Sequence, residues 1–361
     1  MKYVSEFRDK KFIVPLVAEL RRIIDRPLRI MEVCGTHTMA IFRHGLRAIL
    51  PEELELISGP GCPVCVTSAA HIDAFIDIAA RDGVRVAIFG DLFRVPGASG
   101  SLARAQSMGA RVEIVYSPMD ALTLAEKYPG EEVVFLSVGF ETTIPLVAAT
   151  ILEAERRELD NFTVFSAHKI MPPALAALLD DPELRLDGLL CPGHVSTIIG
   201  AAAYAPLAEN YGLSCVVAGF EPVDILQAVI LLAKQAREKR SVVENGYARA
   251  VSWQGNPRAR KLMSDVFAPV DCQWRGLGVI PASGMAIRER YGCFDAEKRF
   301  AIRLTEAPEP KGCLCGQILK GKKNPADCPL FAGRCTPLAP VGPCMVSSEG
   351  TCAAYYRYAR V

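Results

Sequence analysis

The chain has 361 residues, with 41 Lys+Arg against 40 Asp+Glu and a net charge of +1, so it offers no electrostatic footprint for nucleic acid or an anionic membrane. Half of its residues are apolar, which excludes a disordered chain, and its length suits two or three domains with cores of their own. The longest strongly apolar run, 228–233, falls far short of the about 20 residues of a membrane span. The N-terminal MKYVSEFRDKKF lacks the apolar stretch of a signal peptide; the expectation is a soluble, cytoplasmic protein.

Residues 1–27 read as an N-terminal helical arm. From 28 to about 240, short β-branched runs alternate with helical periods. The expected strands are LRIMEV (28–33), LELIS (54–58), VRVAIFG (84–90), RVEIVYS (111–117), EVVFLSVG (132–139), FTVFSA (162–167), GLLC (188–191) and SCVVAG (214–219). Between them lie amphipathic stretches such as TSAAHIDAFIDIAARDG, with apolar residues at i, i+3 and i+4. This alternation predicts an α/β fold with parallel sheets and ligands at the carboxyl ends of strands. Gly139-Phe140-Glu141 and Gly219-Phe220-Glu221, 80 residues apart, each follow an apolar strand and open a helix. They suit either a reused strand–helix turn or two α/β units of related build, taken here as 28–125 and 126–240. The C-terminal region, 241–361, mixes polar turns with one helix near 257–267, then becomes rich in Pro, Gly and Cys from about 300. That last segment has no periodic apolar pattern, so it reads as a small Cys-rich domain that needs metal or cross-links in place of a core.

Thirteen cysteines are present, and six fall in the last 49 residues. In a chain without secretory signals they read as metal ligands or redox thiols before structural disulfides. Cys34, in CGTHT, follows a strand and precedes a helix, which suits either an accessible thiol whose thiolate the helix dipole favours or a buried, inert one. Cys62 and Cys65, in GPGCPVC, have the same setting and a C-x-x-C spacing; they suit a reversible disulfide, chelation of a soft metal, or half of a zinc site. Cys313, Cys328, Cys335 and Cys352 are separated by 14, 6 and 16 residues, with Cys315 and Cys344 interleaved. Thiolate-only ligation suits an iron–sulfur cluster or zinc equally. Cys191, Cys215, Cys272 and Cys293 have no partner spacing and read as structural. Of the histidines, His37 and His194 stand near strand ends and are site candidates, whereas His71 and His44 suit satisfied helix positions. The Gly-rich RVPGASGS matches no nucleotide-binding fingerprint.

With CGTHT (34–38), SGPGCPVC (58–65), GFETT (139–143), CPGHVSTIIG (191–200) and CMVSSEGTCAAYY (344–356) in place, the chain resembles the hydrogenase maturation factor HypD family along almost its whole length. The resemblance implies a redox-active scaffold, rather than a conventional turnover enzyme, on which the Fe(CN)2CO unit of [NiFe]-hydrogenase is assembled. It implies as partners a HypC-type chaperone sharing the iron, a HypE-type donor delivering cyanide from a thiocyanate, and, indirectly, the hydrogenase large subunit. Carried onto this chain, Cys34, Cys62 and Cys65 are the thiols of the iron-handling site, and His37, His194 and Glu349 are supporting polar groups. The spacing of Cys313, Cys328, Cys335 and Cys352 resembles the family's [4Fe–4S] signature. The chemistry is coherent: iron bearing cyanide and carbonyl favours soft thiolates, and releasing cyanide from a thiocyanate takes two electrons, which a dithiol handles. Two rivals stand beside it: an iron–sulfur-linked disulfide oxidoreductase acting through CPVC, and a zinc protein without redox chemistry, which would be colourless.

Overall fold

The computed structural model describes residues 6–305 and 307–359; residues 1–5 of the expected arm and the last two of the C-terminal region lie outside them. Helix Lys10–Ile23 starts on Asp9, whose carboxylate accepts from the Lys11 N–H at 2.9 Å. Its Val17, Leu20 and Ile23 are buried in one apolar cluster with Leu226 and Val229 of helix Pro222–Glu238.

Eleven strands follow among the described residues: β1 (Leu28–Glu32), β2 (Leu54–Ser58), β3 (Val84–Ile88), β4 (Arg111–Ile114), β5 (Glu132–Ser137), β6 (Phe162–Ser166), β7 (Gly188–Pro192), β8 (Ser214–Ala218), β9 (Val243–Asn245), β10 (Phe267–Trp274) and β11 (Gly278–Ile287). β1 to β9 form two parallel sheets, in the orders β2-β1-β7-β8-β9 and β4-β3-β5-β6. The α/β class with parallel sheets therefore holds. Helices cover both faces, so β7 and β8 are buried at every position, as expected of parallel strands without a solvent side.

Sheet membership does not follow the expected division at 125/126. β3 and β4 pair with β5 and β6, while β7 and β8 join β1 and β2. The chain leaves the first sheet after β2, builds the whole second sheet, and returns through helix Met171–Leu179 to lay β7 against the free side of β1. Strand pairing across such a distance leaves no periodicity in the sequence.

The stretch expected to hold one helix contains it, at Pro257–Val266, and also the antiparallel hairpin β10–β11. Both hairpin strands lie partly in solvent without clean alternation, so no period of two marks them. The cysteine-rich segment also has more core than its composition suggests. Ile318, Leu319, Met345, Ala353 and Ala354 are buried, and the first three belong to the same apolar cluster as Met31 and Ile57 of the first sheet. Phe42 and Tyr355 rings stand 4.5 Å apart, and Arg47 donates to the Tyr355 hydroxyl at 3.0 Å. Apolar residues on three short helices, Cys315–Leu319, Pro343–Val346 and Thr351–Tyr358, thus find a core against the neighbouring sheet.

Candidate functional site

Order in the first sheet sets the site. β1 has β2 on one side and β7 on the other, so the strand order reverses there and a crevice opens beyond the carboxyl ends. Cys34 follows β1, Cys62 and Cys65 follow β2, and His194 follows β7; all come to one edge of one sheet.

Cys34 is the residue before helix Gly35–Arg43 and Cys62 the one before the short helix Pro63–Val66. Their backbones touch: the Gly35 N–H donates to the Gly61 carbonyl at 3.0 Å, and a Cβ on Gly61 would stand 2.3 Å from the Cys34 nitrogen. Cys62 and Cys65 are joined in a disulfide, and the Cys65 N–H donates to the Cys62 sulfur at 3.1 Å. From the cysteine-rich segment, the Ser347 hydroxyl reaches the Cys62 sulfur at 3.3 Å, and Glu349 accepts from the Thr36 hydroxyl at 2.5 Å. A Cβ on Gly35 would stand 2.5 Å from both the Cβ and the carbonyl oxygen of Glu349. Only glycine lets this segment lie on the start of the Cys34 helix.

The expected accessible, acidic Cys34 is not what the fold makes. Its side chain is 6% exposed, and burial, reinforced by the Glu349 carboxylate, pushes its thiol up to about 12 against the Thr36 and His37 backbone N–H groups. Desolvation outweighs the helix N-terminus. Glu349 itself is raised by burial, with the Thr36 hydroxyl opposing.

His37 and His194 meet through a ring absent from the sequence-level candidates. Phe220 lies 4.9 Å from the His37 ring and 4.0 Å from the His194 ring. His37 is fully buried; its Nε2 is 2.9 Å from the Gly219 carbonyl, which makes Nε2–H the donor, and its Nδ1 has no partner. Burial lowers its pKa to about 4, so the ring is neutral. His194 is exposed at the crevice, with its pKa also lowered by partial burial. Below Cys34, Glu32 is buried with Thr38 and Ser58 hydroxyls on its carboxyl, and burial raises it to about 8. Thr36, Ser347, Phe220 and Glu32 went unnoticed in the sequence; only Phe220, through the repeated Gly-Phe-Glu, carried a signal. His71 is satisfied, as expected, by the Ser68 hydroxyl at 2.7 Å.

Cys313, Cys315, Cys328, Cys335, Cys344 and Cys352 line one small pocket, walled by Ile318, Leu330, Phe331 and Met345. Among the described residues no cationic or acidic side chain lines it. Gly342 leaves the sulfurs room: a Cβ there would stand 3.0 Å from the Cys313 sulfur and 3.3 Å from that of Cys315. Thiol hydrogen bonds from Cys315 and Cys344 lower Cys352 to about 6, while Cys344, Cys313 and Cys335 are raised by neighbouring thiols and burial. The donor set, six sulfurs in an apolar wall, fits a thiolate-ligated cluster. Among the described residues no three His, Cys, Asp or Glu side chains are gathered closely enough to hold a single metal ion.

A family model for HypD, described as the "Hydrogenase formation hypA family", matches residues 11–359. The chain is 47% identical over 370 residues to hydrogenase maturation factor HypD2 of Bradyrhizobium diazoefficiens, covering 100% of this chain and 97% of that protein. It is 48% identical to hydrogenase maturation factor HypD of Azotobacter vinelandii, covering 100% and 97% of the two chains. It is 46% identical to the factor of the same name from Escherichia coli, covering 99% and 98%.

Proposed function

This chain belongs to the HypD family of hydrogenase maturation factors, and from that premise we propose that it is the scaffold on which iron receives cyanide and carbonyl ligands for [NiFe]-hydrogenase. The observation that carries the proposal is the meeting of Cys34, the Cys62–Cys65 disulfide and Glu349 where the first sheet reverses strand order. Cys34 supplies a single soft donor for the iron substrate. The adjacent dithiol, when reduced, supplies the two electrons that release cyanide from a thiocyanate, and returns to the disulfide. Ser347 and Thr36 orient sulfur and carboxylate, and His194 stands at the mouth where a HypC-type chaperone and a HypE-type donor would approach. Cys313, Cys328, Cys335 and Cys352, with Cys315 and Cys344 beside them, would hold a [4Fe–4S] cluster, which when bound supplies single electrons.

The iron site is tested by infrared spectroscopy of the complex with the chaperone. Cys34→Ala should keep the fold, at a cost of about 1–2 kcal/mol for the buried sulfur, yet lose the cyanide and carbonyl bands and fail to mature hydrogenase. Retained bands would move the iron to Cys62 and Cys65. The second reading, a disulfide oxidoreductase fed by the cluster, draws on the same disulfide lying against Ser347, three residues from Cys344 of the cysteine pocket. It predicts that Cys34→Ala preserves function while Cys62→Ser abolishes it.

A further inference from the structure

Away from the thiol crevice, the second sheet is followed by a buried lysine with no ion pair among the described residues. Lys169, just after β6, is completely buried. Its Nζ has three neighbours: the Cys272 sulfur at 3.2 Å, the Gln273 carbonyl at 3.1 Å and the face of Trp274 at 5.5 Å. The other titratable groups acting with it are His71 and His168, whose protonation its charge opposes after burial has already lowered both to about 3. No carboxylate among the described residues pairs with it. Burial therefore favours the neutral amine, and its pKa is lowered.

Three features of the hairpin aim Cys272 at this amine. The β10–β11 register shifts between Val270 and Cys272, a bulge that turns the strand locally. On the facing strand Gly284, the register partner of Val270, has no Cβ; one placed there would stand 2.6 Å from the Cys272 Cβ and 3.1 Å from its sulfur. Lys169 is itself bridged to Gly284, and the Ile170 N–H donates to the Ser283 carbonyl at 2.9 Å. Cys272, unlike Lys169, is only partly buried.

We propose that Lys169 and Cys272 form an oxidative modification site, in which a peroxide-generated sulfenic acid on Cys272 is captured by the Lys169 amine as a sulfenamide cross-link. In the first step the thiol sulfur attacks hydrogen peroxide: the O–O bond breaks, an S–O bond forms, water leaves, and the sulfur is oxidised by two electrons as the peroxide is reduced. In the second step Nζ attacks that sulfur: an S–N bond forms, the S–O bond breaks, and hydroxide leaves with the amine proton as water. A dithiol reductant reverses the bond, returning thiol and amine and becoming a disulfide itself. The link shields Cys272 from irreversible over-oxidation. It also ties the segment after β6 to β10, at whose end Trp274 bridges Thr67 and the next residue's N–H, that of Arg275, donates to the Val66 carbonyl at 2.8 Å, at the end of the CPVC helix.

The test is peptide mass mapping of the full-length chain after graded hydrogen peroxide, with free thiols alkylated. The expected product is a peptide pair joined through Lys169 and Cys272, two hydrogens lighter than the sum of its parts. Trypsin should no longer cut after Lys169, and dithiothreitol should release both peptides. In Lys169→Arg, which keeps a cation but lacks a nucleophilic amine, the joined pair should vanish and Cys272 should be trapped as its dimedone adduct. Wild-type Cys272 that stays alkylatable, gives the dimedone adduct without cross-linking, or joins Lys169 with an extra oxygen retained would overturn the proposal. The wild-type measurement decides even if the variant fails to fold.

Discussion

The two parallel sheets place the same tripeptide at a strand end and surround it differently. After β8, Phe220 is shared between the His37 and His194 rings, and Glu221 is half-buried, taking a two-point ion pair from Arg8 and capping helix Pro222–Glu238. After β5, Phe140 stacks on Trp274, and Glu141 is buried, with one oxygen accepting from the Met171 N–H at 2.8 Å and the other without a partner. Both glycines admit the side chain that follows: a Cβ on Gly139 would strike the Thr143 hydroxyl and one on Gly219 the Asp224 carboxylate. The tripeptide thus sets the turn and nothing more. What packs above it decides whether the end of the strand becomes an open, cation-paired mouth or a sealed interior, and the thiols gather at the open one.

The largest effect should come from prising the cysteine-rich segment off the start of the Cys34 helix. Gly35→Ala places a Cβ against the Glu349 backbone, an overpacking expected to cost about 1–3 kcal/mol and to push Glu349 off Thr36. Thermal unfolding and hydrogenase maturation should both fall. Gly130→Ala, with nothing within 4 Å of its Cβ, should leave both unchanged. A Gly35→Ala protein of full stability and activity would show that the cysteine-rich segment does not rest on this helix.

Next in size is the sealed glutamate. Glu141→Ala strands the Met171 N–H in the interior, a loss of about 1–3 kcal/mol in urea unfolding, and Glu141→Gln, which keeps an acceptor, should recover most of it. Glu221→Ala removes an ion pair and a helix cap near the surface and should cost only about 1 kcal/mol. Equal losses at the two positions would undo the contrast.

Acidity separates the copies further. Burial raises Glu141 to about 7, so its contribution is fully present below the unfolded value near 4.5 and is lost as pH rises through about 7. Glu221 is lowered, chiefly by the Arg8 hydrogen bond, so its contribution is present above about 4.5 and lost as pH falls. Urea midpoints against pH should show Glu141→Gln gaining on the parent protein between about 4.5 and 7. Glu221→Gln should trail the parent at neutral pH and rejoin it in acid. The smallest effect is Arg8→Ala, with a loss under about 1 kcal/mol that shrinks as salt is added.

Much of this protein was written locally. Strand runs such as EVVFLSVG, the amphipathic periods between them, and thiols placed just after strands mark the α/β class and the positions of Cys34, Cys62 and Cys65. They do so because backbone preference and apolar periodicity act over a few residues. The six C-terminal cysteines announced a shared purpose by density alone, and they do line one pocket.

What the sequence could not carry is every property set by distant neighbours. That β7 returns to β1, with the second sheet inserted between, depends on which strand edges remain free after folding. The acidity of Cys34 reversed because a segment more than 300 residues away covers it, and desolvation depends on what lies overhead rather than on the helix that follows. Cys272, which had no partner spacing, acquired Lys169 only through a bulge and a glycine in the facing strand. Sequence alone determined the first eight strands and the reactive atoms that follow them. Tertiary structure alone decided which of those atoms meet, and how much water reaches them, because pairing and burial are properties of the packed whole.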